Sequence, residues 1–182
     1  GQLAHLRVLP DDELALVLGL QLPEHERVPV LELLAALPLG QEIRTALHGG
    51  RDYGADTIQL LQIANRHQWK PQIERWLVDG RVVISDRYAA SSVAYGEAQG
   101  LDPAWLVATQ AYLPRPSTTV LLDIAADVAA ARKARDRDSY ERDLAMLSRV
   151  RMSYLRQAAQ PGWVVVDAAR PVDVVAADIT SA

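Results

Sequence analysis

The sequence contains neither cysteine nor phenylalanine, and only two of its 182 residues are lysines. Without cysteine the chain forms no disulfide bond and no thiolate metal site, which is typical of a protein in the reducing cytoplasm. Because lysine is so scarce, almost all positive charge is carried by arginine. Any chemistry that depends on lysine must use Lys70 or Lys133.

A long apolar run and a strong net charge are also missing. The most apolar stretch, residues 28–39, is interrupted by Glu32 and two prolines, so we expect no membrane span. No basic segment followed by an apolar one opens the chain, and we expect no secretory signal. The formal net charge of -4 argues against a general nucleic-acid surface. The length and the 49% of hydrophobic residues predict one globular domain over residues 1–182.

Apolar segments of strand length alternate with longer helical patterns from residue 55 onward. Buried strands are predicted where apolar residues follow one another without polar alternation, at residues 81–85, 118–124 and 163–166. Helices are predicted at residues 55–78, 102–112, 125–135, 140–159 and 171–179. This order predicts an α/β fold with a parallel sheet and helices on both faces. Residues 14–20 fit either a central strand or a helix, and periodicity does not decide between them.

Charged and phenolic residues follow the first of these strands, in Asp86-Arg87-Tyr88. Ligands of parallel sheets bind at the carboxyl ends of the strands. An arginine there can bind a phosphate through two parallel hydrogen bonds, and an adjacent aspartate can accept a proton or hold Mg²⁺ through water. A simple ion pair at the end of the strand explains the tripeptide equally well, so the residues alone leave both interpretations open.

Two further arginine features are candidates for ligand contacts. Arg66 lies in the middle of the helix predicted at 55–78, where an arginine is usually solvated. Its neighbours Ile63 and Ala64 indicate a buried face, on which Arg66 would need a base carbonyl or a phosphate as acceptor. Residues 132–138 contain three arginines and one lysine between two predicted helices. Such a run is usually a solvated surface, and the alternative is an arginine lid that closes over transferring phosphates.

Histidine and serine indicate no chemistry of their own. The four histidines have no metal-ligand spacing, and Ser91-Ser92 have no matching His-Asp arrangement. We therefore predict neither a histidine metal site nor a hydrolase triad. Ser91 is expected either to cap a helix or to contact a ligand.

Several segments, in the same order, resemble the thymidylate kinase family of P-loop nucleoside-monophosphate kinases. They are PLGQEIR at 38–44, ANR at 64–66, DRYAASSVAYG at 86–96, LPRPSTTVLLDI at 113–124, the charged run at 135–141 with RVRMSYL at 149–155, and WVVVD at 163–167. The resemblance covers residues 38–180, whereas residues 1–37 are atypical. It implies a P-loop NTPase fold, here with a degenerate first βα unit.

The resemblance implies transfer of a phosphoryl group from MgATP to dTMP, giving dTDP. The implied substrate-binding residues are Arg66 and Gln62 at the base, Arg87 at the phosphate, Ser91, and Tyr95 under the sugar, where it disfavours a 2'-hydroxyl. The implied catalytic residues are Asp86, Arg87, Arg135 and Arg137. Asp86 is also the implied metal contact. Arg132 and Arg135 are the implied contacts of ATP.

The sequence departs from the family pattern at three points, and at one of them Glu32 stands near the place of a phosphate-binding arginine that precedes the PLG segment in the family. The phosphate-binding loop GxxxxGK[ST] is not found in it, since Gly49 and Gly54 have the right spacing but Ala55-Asp56 follow them. Gln62 replaces an aromatic residue that stacks on thymine, which leaves the base preference open. Three explanations remain: an active kinase with a different phosphate cradle, a non-catalytic nucleotide-binding or interaction module that retains the fold, or a non-native start over residues 1–37.

The resemblance also bears on partners. Family members are often dimers through a helix face, and the helix at 55–78, with Trp69 and Trp76, is the candidate face for a homodimer. The expected ligands are dTMP and, in an active enzyme, ATP and Mg²⁺. We expect neither a nucleic acid nor a membrane as partner.

Overall fold

The structure is a computed structural model that describes residues 38–132 and 143–181. Seven helices and two strands are found in these ranges. In chain order they are α1 (Pro38–Leu47), α2 (Ala55–Val78), α3 (Ala89–Ala98), α4 (Pro103–Ala108), β1 (Thr119–Asp123), α5 (Ala126–Arg132), α6 (Leu144–Ala158), β2 (Trp163–Asp167) and α7 (Val172–Ser181). None of the helices in the described ranges is long and apolar enough to cross a membrane. The ambiguous segment at 14–20 lies outside the described residues.

Strands β1 and β2 are parallel and in register, so that Asp123 lies opposite Asp167 at their carboxyl ends. Val120, Leu122, Val164 and Val166 share one face of the pair and pack against α7. Helix α6 contacts both strands, and its Arg151 binds Asp123, whose side chain points to the opposite face. The predicted α/β architecture with helices on both faces of a parallel sheet is thus confirmed.

The longest helix, α2, begins and ends where the sequence predicts. Its buried apolar residues are Ile58, Ile63 and Ile73, and Arg66 is buried among them. The helix stops at Asp79, because Gly80 adopts a φ of 78°, which glycine tolerates at no steric cost. Trp69 and Trp76, predicted at a dimer face, are partly buried and pack against the cluster of Ile73 and Val83 in their own chain.

The strand predicted at 81–85 is not a strand in the structure. Within the described ranges the sheet contains β1 and β2 only, so no described strand pairs with this segment. Its apolar residues are nevertheless placed in the core: Val83 packs with Ile73, and Ile84 packs against the β1–β2–α7 cluster. Continuous apolar character correctly predicted burial, but a strand also requires a hydrogen-bonded neighbour, which the pattern cannot supply.

Other boundaries shift by a few residues. Asp102 caps α4 as predicted, accepting a hydrogen bond from the backbone N–H of Ala104. The helix ends at Ala108 instead of 112, because the side chains of Thr109 and Gln110 donate to the carbonyl of Leu106 and compete with the helical pattern. Helix α6 begins at Leu144, one residue after its cap, Asp143, and the predicted start at Tyr140 lies outside the described residues.

Helix α3 is the centre of the helical layer. Its small residues allow α2, α4 and α6 to pack around it, and Ser91 through Gly96 are all buried. At Gly96 the closest approach is to Leu106 of α4, where an added Cβ would lie 2.6 Å from one terminal methyl and 3.2 Å from the other. Leu106 itself is fully buried and has little room to move.

We predict that Gly96→Ala destabilises the protein by about 1–2 kcal/mol, since overpacking outweighs the gain in helix propensity. Chemical denaturation measures this change. In the background of Leu106→Ala, which by itself should cost about 2–5 kcal/mol, the same glycine substitution should cost less, although Leu101 Cδ1 still lies 3.3 Å from the added Cβ. Equal costs of Gly96→Ala in both backgrounds would show that the contact with Leu106 is not the cause.

An ion pair connects β1 to α6. Arg151 donates from Nε and Nη2 to the two carboxylate oxygens of Asp123, at 2.7 and 2.8 Å. The hydrogen bonds from Arg151 hold the pKa of Asp123 below its ordinary value of 3.8. The stabilisation from this carboxylate is therefore present above that value and is lost as the pH falls through the lower, folded-state pKa.

We predict that Arg151→Met lowers the unfolding midpoint at pH 7 and lowers it less at about pH 2, because acid protonates Asp123 and weakens the ion pair. Urea titrations at the two pH values test this. Arg75→Met is the matched control, because exposed Arg75 contacts the neutral Gln72 and should show no such pH dependence. A loss of equal size at both pH values would refute the contribution of the ion pair.

Candidate active site

A buried polar cluster lies where α2, α3, α6 and the turn after α4 meet. It contains Arg66 on α2, Ser91 and Ser92 on α3, Gln110 in the turn and Tyr154 on α6. The small side chains of α3 bring these elements close enough for contact across the helices. Burial of this many polar groups is costly unless they are hydrogen-bonded, and here the bonds link different elements.

Arg66 is the centre of the cluster and is only 5% exposed. Its Nη1 donates to Ser92 Oγ at 2.6 Å and to Gln110 Oε1 at 3.3 Å. Both acceptors are neutral, and among the described residues no carboxylate pairs with this guanidinium. An arginine on the interior face of a helix usually has a carboxylate or a ligand as partner, so this one is suited to an acceptor from outside the chain.

Burial lowers the pKa of Arg66 to about 10, while Tyr88 and Tyr154 act in the opposite direction. The group therefore remains a cation at neutral pH, held at a cost by the fold. Buried charges with perturbed pKa values cluster at functional sites. The remaining N–H groups of the guanidinium can donate to a carbonyl or phosphate oxygen of a ligand.

Two tyrosines border the cluster. Tyr154 Oη lies 2.6 Å from Ser91 Oγ, and burial raises the pKa of this phenol to about 12. Burial also raises the pKa of Tyr88 to about 12, and among the described residues its hydroxyl has no hydrogen-bond partner. Both phenols therefore stay neutral and provide a polar lining without negative charge.

The segment before α3 places Arg87 in a strained conformation. Its φ of 56° lies in the left-handed region, which a residue with a side chain adopts at a cost of about 1–2 kcal/mol. The exposed Arg87 donates from Nη1 to Tyr95 Oη at 2.9 Å, and its guanidinium carbon is 5.3 Å from the centre of the Tyr95 ring. Backbone strain of this kind is frequent at ligand sites.

The structure brings together four of the five residues predicted as substrate contacts. Arg66, Arg87, Ser91 and Tyr95 lie on α2 and on the segment that forms α3. Ser91 does not cap a helix, since the N-cap of α3 is Tyr88 and the Ser91 hydroxyl contacts Tyr154. The fifth, Gln62, is partly buried one helical turn before Arg66, so that both share a helix face.

The predicted metal and lid residues are described only in part. Within the described ranges no group of three or more His, Asp or Glu could hold a metal ion. The partly buried Asp86 fits the manner in which Mg²⁺ usually binds, through one or two carboxylates together with water and substrate phosphates. Arg135 and Arg137 lie outside the described residues. Of Arg132 the structure describes the backbone, as the last residue of α5.

Sequence reasoning missed Ser92, Gln110 and Tyr154 as members of the site. Ser92 had a detectable signal, because a buried arginine on α2 requires an acceptor and α3 offers two adjacent serines. Gln110 had no signal, since it lies 44 residues after Arg66 and only the packing of the helices brings it there. Tyr154 stands in the RVRMSYL segment, but it lies 63 residues after Ser91 and nothing in that segment indicated their contact.

This arrangement suits a ligand that has both a neutral acceptor edge and an anionic group. Arg66, a buried cation with neutral partners, favours the neutral acceptor edge. Arg87, an exposed arginine in a strained turn, favours the anionic group. In an α/β protein with a parallel sheet, a nucleotide offers both features, a neutral acceptor edge on its base and an anionic phosphate.

Comparisons with known proteins identify the family. The family model described as thymidylate kinase matches residues 36–179. The probable thymidylate kinase of Pyrobaculum calidifontis is 38% identical over 148 residues, which cover 79% of this chain and 76% of that protein. The thymidylate kinase of Leifsonia xyli is 40% identical over 154 residues, with 78% and 72% covered, and that of Ralstonia nicotianae is 36% identical over 171 residues, with 86% and 81% covered.

The chain belongs to the thymidylate kinase family, and its fold is that of a P-loop NTPase. The resemblance deduced from the sequence motifs is thereby confirmed. The predicted degenerate first βα unit falls on residues outside the described ranges.

Proposed function

We propose that the protein binds dTMP in the Arg66 cluster as the acceptor of a phosphoryl group from MgATP. The observation that carries this proposal is the buried Arg66, which has only neutral acceptors among the described residues. A thymine carbonyl is neutral, so it can accept a hydrogen bond from this cation without bringing a second buried charge. Membership in the thymidylate kinase family supports the choice of nucleotide.

In this proposal Arg87 binds the dTMP phosphate. Its guanidinium offers two parallel N–H groups, which match the oxygens of a phosphate. Contact with Tyr95 restricts the side chain before the ligand arrives, and this lowers the entropy lost on binding. Tyr95 would then lie beside the sugar that joins the base at Arg66 to the phosphate at Arg87.

Phosphoryl transfer depends on positioning and charge neutralisation more than on covalent chemistry by the protein. Arg87 would hold the acceptor phosphate in line, and Asp86 would hold Mg²⁺ through water. The bound Mg²⁺ would neutralise charge on the transferring phosphate. Arg132, Arg135 and Arg137 are proposed to supply the lid arginine beside ATP.

A second candidate function is nucleotide binding without turnover. The observation in its favour is that residues 1–182 contain no GxxxxGK[ST] segment. In P-loop enzymes the lysine of this segment contacts the β- and γ-phosphates. Under this alternative the acceptor site binds dTMP, and the chain acts as a binding or interaction module.

Formation of dTDP distinguishes the two functions. Purified protein is incubated with MgATP and dTMP, and the products are separated by anion-exchange chromatography. Arg87→Ala protein is the control for a contaminating kinase, because it should lose acceptor binding. The kinase proposal expects dTDP that depends on enzyme concentration and on Arg87. Tight dTMP binding with no dTDP would favour the binding module.

Assembly and location are proposed on the same basis. A homodimer through the exposed side of α2 is proposed from the family resemblance, and sedimentation at several concentrations tests it. A monomer at all concentrations would refute it. The cytoplasm is the proposed location, because a dTMP kinase requires ATP as a soluble co-substrate.

A further inference from the structure

Gln110 is fixed in one orientation by its surroundings. It is 7% exposed, and its Nε2 donates to the carbonyl oxygens of Ala89 at 3.2 Å and Leu106 at 3.0 Å. Rotation of the amide by half a turn would place Oε1 against the two carbonyl oxygens, neither of which can donate a hydrogen bond. The Oε1 atom is therefore constrained to face Arg66, from which it accepts a hydrogen bond at 3.3 Å.

The contact with Gln110 complements that with Ser92. Both acceptors bond to Nη1 of Arg66, but Ser92 lies on α3 and Gln110 lies in the turn after α4. A guanidinium is planar and rigid, so two acceptors on different elements restrict both the position and the plane of the group. With Ser92 as the only acceptor, rotation about the bond between the guanidinium carbon and Nη1 of Arg66 would be less restricted.

We propose that Gln110 is a positioning residue that sets the base selectivity of the site by holding the Arg66 guanidinium. The proposal rests on the proposed function, in which Arg66 contacts the base. An arginine has donors and no acceptor, so in a fixed orientation it favours a base edge with a carbonyl and disfavours one with an amino group. dTMP presents a carbonyl where dCMP presents an amino group. Selectivity between these two nucleotides therefore reports the orientation of Arg66.

The main test variant is Gln110→Met, which keeps the length of the side chain and removes the amide. Gln157→Met is the matched control: Gln157 Nε2 donates to the carbonyl of Ala90, next to Ala89, but the side chain does not contact Arg66. If Gln110→Met does not fold, Gln110→Asn replaces it, because the shorter side chain withdraws the amide oxygen from Arg66.

Two readouts separate this proposal from the proposed function. The first needs no nucleotide: hydrogen exchange and bond rotation of the Arg66 guanidinium, followed by NMR of ¹⁵N-arginine-labelled protein. We expect both to be about tenfold faster in Gln110→Met and unchanged in Gln157→Met. The second is the ratio of dTMP to dCMP affinity, which we expect to fall about tenfold in Gln110→Met and to stay constant in the control.

Unchanged guanidinium exchange in Gln110→Met would overturn the positioning role, whatever nucleotide binds. Faster exchange with an unchanged affinity ratio would overturn the selectivity role. If Gln110 were purely structural, Gln110→Met would weaken the binding of dTMP and dCMP equally and leave the ratio of their affinities intact. Wild-type protein that does not bind dTMP would refute the proposed function and the selectivity role together, while the NMR experiment would still decide whether Gln110 holds Arg66.

Discussion

Arg87→Ala is expected to weaken dTMP binding about 30-fold or more. Loss of a charge-assisted contact to a phosphate typically costs about 2–5 kcal/mol, which corresponds to a factor of about 30 or greater. Arg87→Lys keeps the charge but loses the two parallel N–H groups, so it should lie between the alanine variant and the wild type. Calorimetric titration gives the three affinities.

Thymidine, which lacks the phosphate, is the sharpest control for this prediction. Its affinity should not change in Arg87→Ala, because the base contacts remain. Arg75→Ala, which removes an exposed arginine of α2 that contacts Gln72, should leave dTMP binding unchanged. An equal loss of dTMP and thymidine affinity in Arg87→Ala would assign Arg87 to the structure of the site and not to the phosphate.

The backbone at Arg87 adds a stability test. Glycine adopts a φ of 56° without steric cost, whereas alanine does not. Arg87→Gly should therefore be about 1 kcal/mol more stable than Arg87→Ala, although neither binds dTMP well. A position that retains a strained arginine where glycine would be more stable is consistent with selection for ligand binding over stability.

Arg66→Met is expected to weaken both dTMP and thymidine by roughly 10- to 100-fold, since a hydrogen bond from a charged group to a buried carbonyl is lost. The equal effect on both ligands distinguishes the base contact from the phosphate contact of Arg87. The measurement is the same pair of titrations.

The stability of Arg66→Met separates a binding role from a structural one. Burial lowers the pKa of Arg66 to about 10, so the cation costs the fold roughly 3 kcal/mol at neutral pH, and this cost is relieved only as the pH rises above about 10. Arg66→Met removes this cost. It also removes the two hydrogen bonds that Ser92 Oγ and Gln110 Oε1 accept from Arg66, and each loss should destabilise the fold by roughly 1–2 kcal/mol.

These contributions are similar in size and opposite in sign. Arg66→Met should therefore have a free energy of unfolding within about 1 kcal/mol of the wild type at pH 7. Chemical denaturation checks this value. A loss of more than about 3 kcal/mol would show that Arg66 is needed by the fold itself, as is the case when one partner of a buried ion pair is removed.

Local sequence patterns predicted the two paired strands and five of the seven described helices, because helical periodicity and capping residues act over a few residues; α1 and α3 were not predicted. Helix α2 begins and ends as expected, and Asp102 caps α4. Burial of Arg66 was anticipated from two neighbours, of which Ile63 is buried and Ala64 is exposed. The strand at 81–85 was wrong, since strand formation depends on a partner elsewhere in the chain.

The site was predictable only where a motif marked it. Arg66, Arg87 and Tyr95 stand in recognisable segments, and the structure places all three around α3. Gln110 and Tyr154 complete the cluster through contacts across helices. Such contacts are decided by helix packing and not by local sequence, so no pattern indicated Gln110, and the RVRMSYL segment marked Tyr154 without indicating what it contacts.

The central claim is that one site binds a nucleoside monophosphate through its phosphate and its base. Calorimetric titration of dTMP into the wild-type protein, with thymidine and MgATP titrated separately, tests it most directly. We predict one dTMP per chain, bound about 100-fold more tightly than thymidine. No binding of dTMP, or equal affinities for dTMP and thymidine, would contradict the claim.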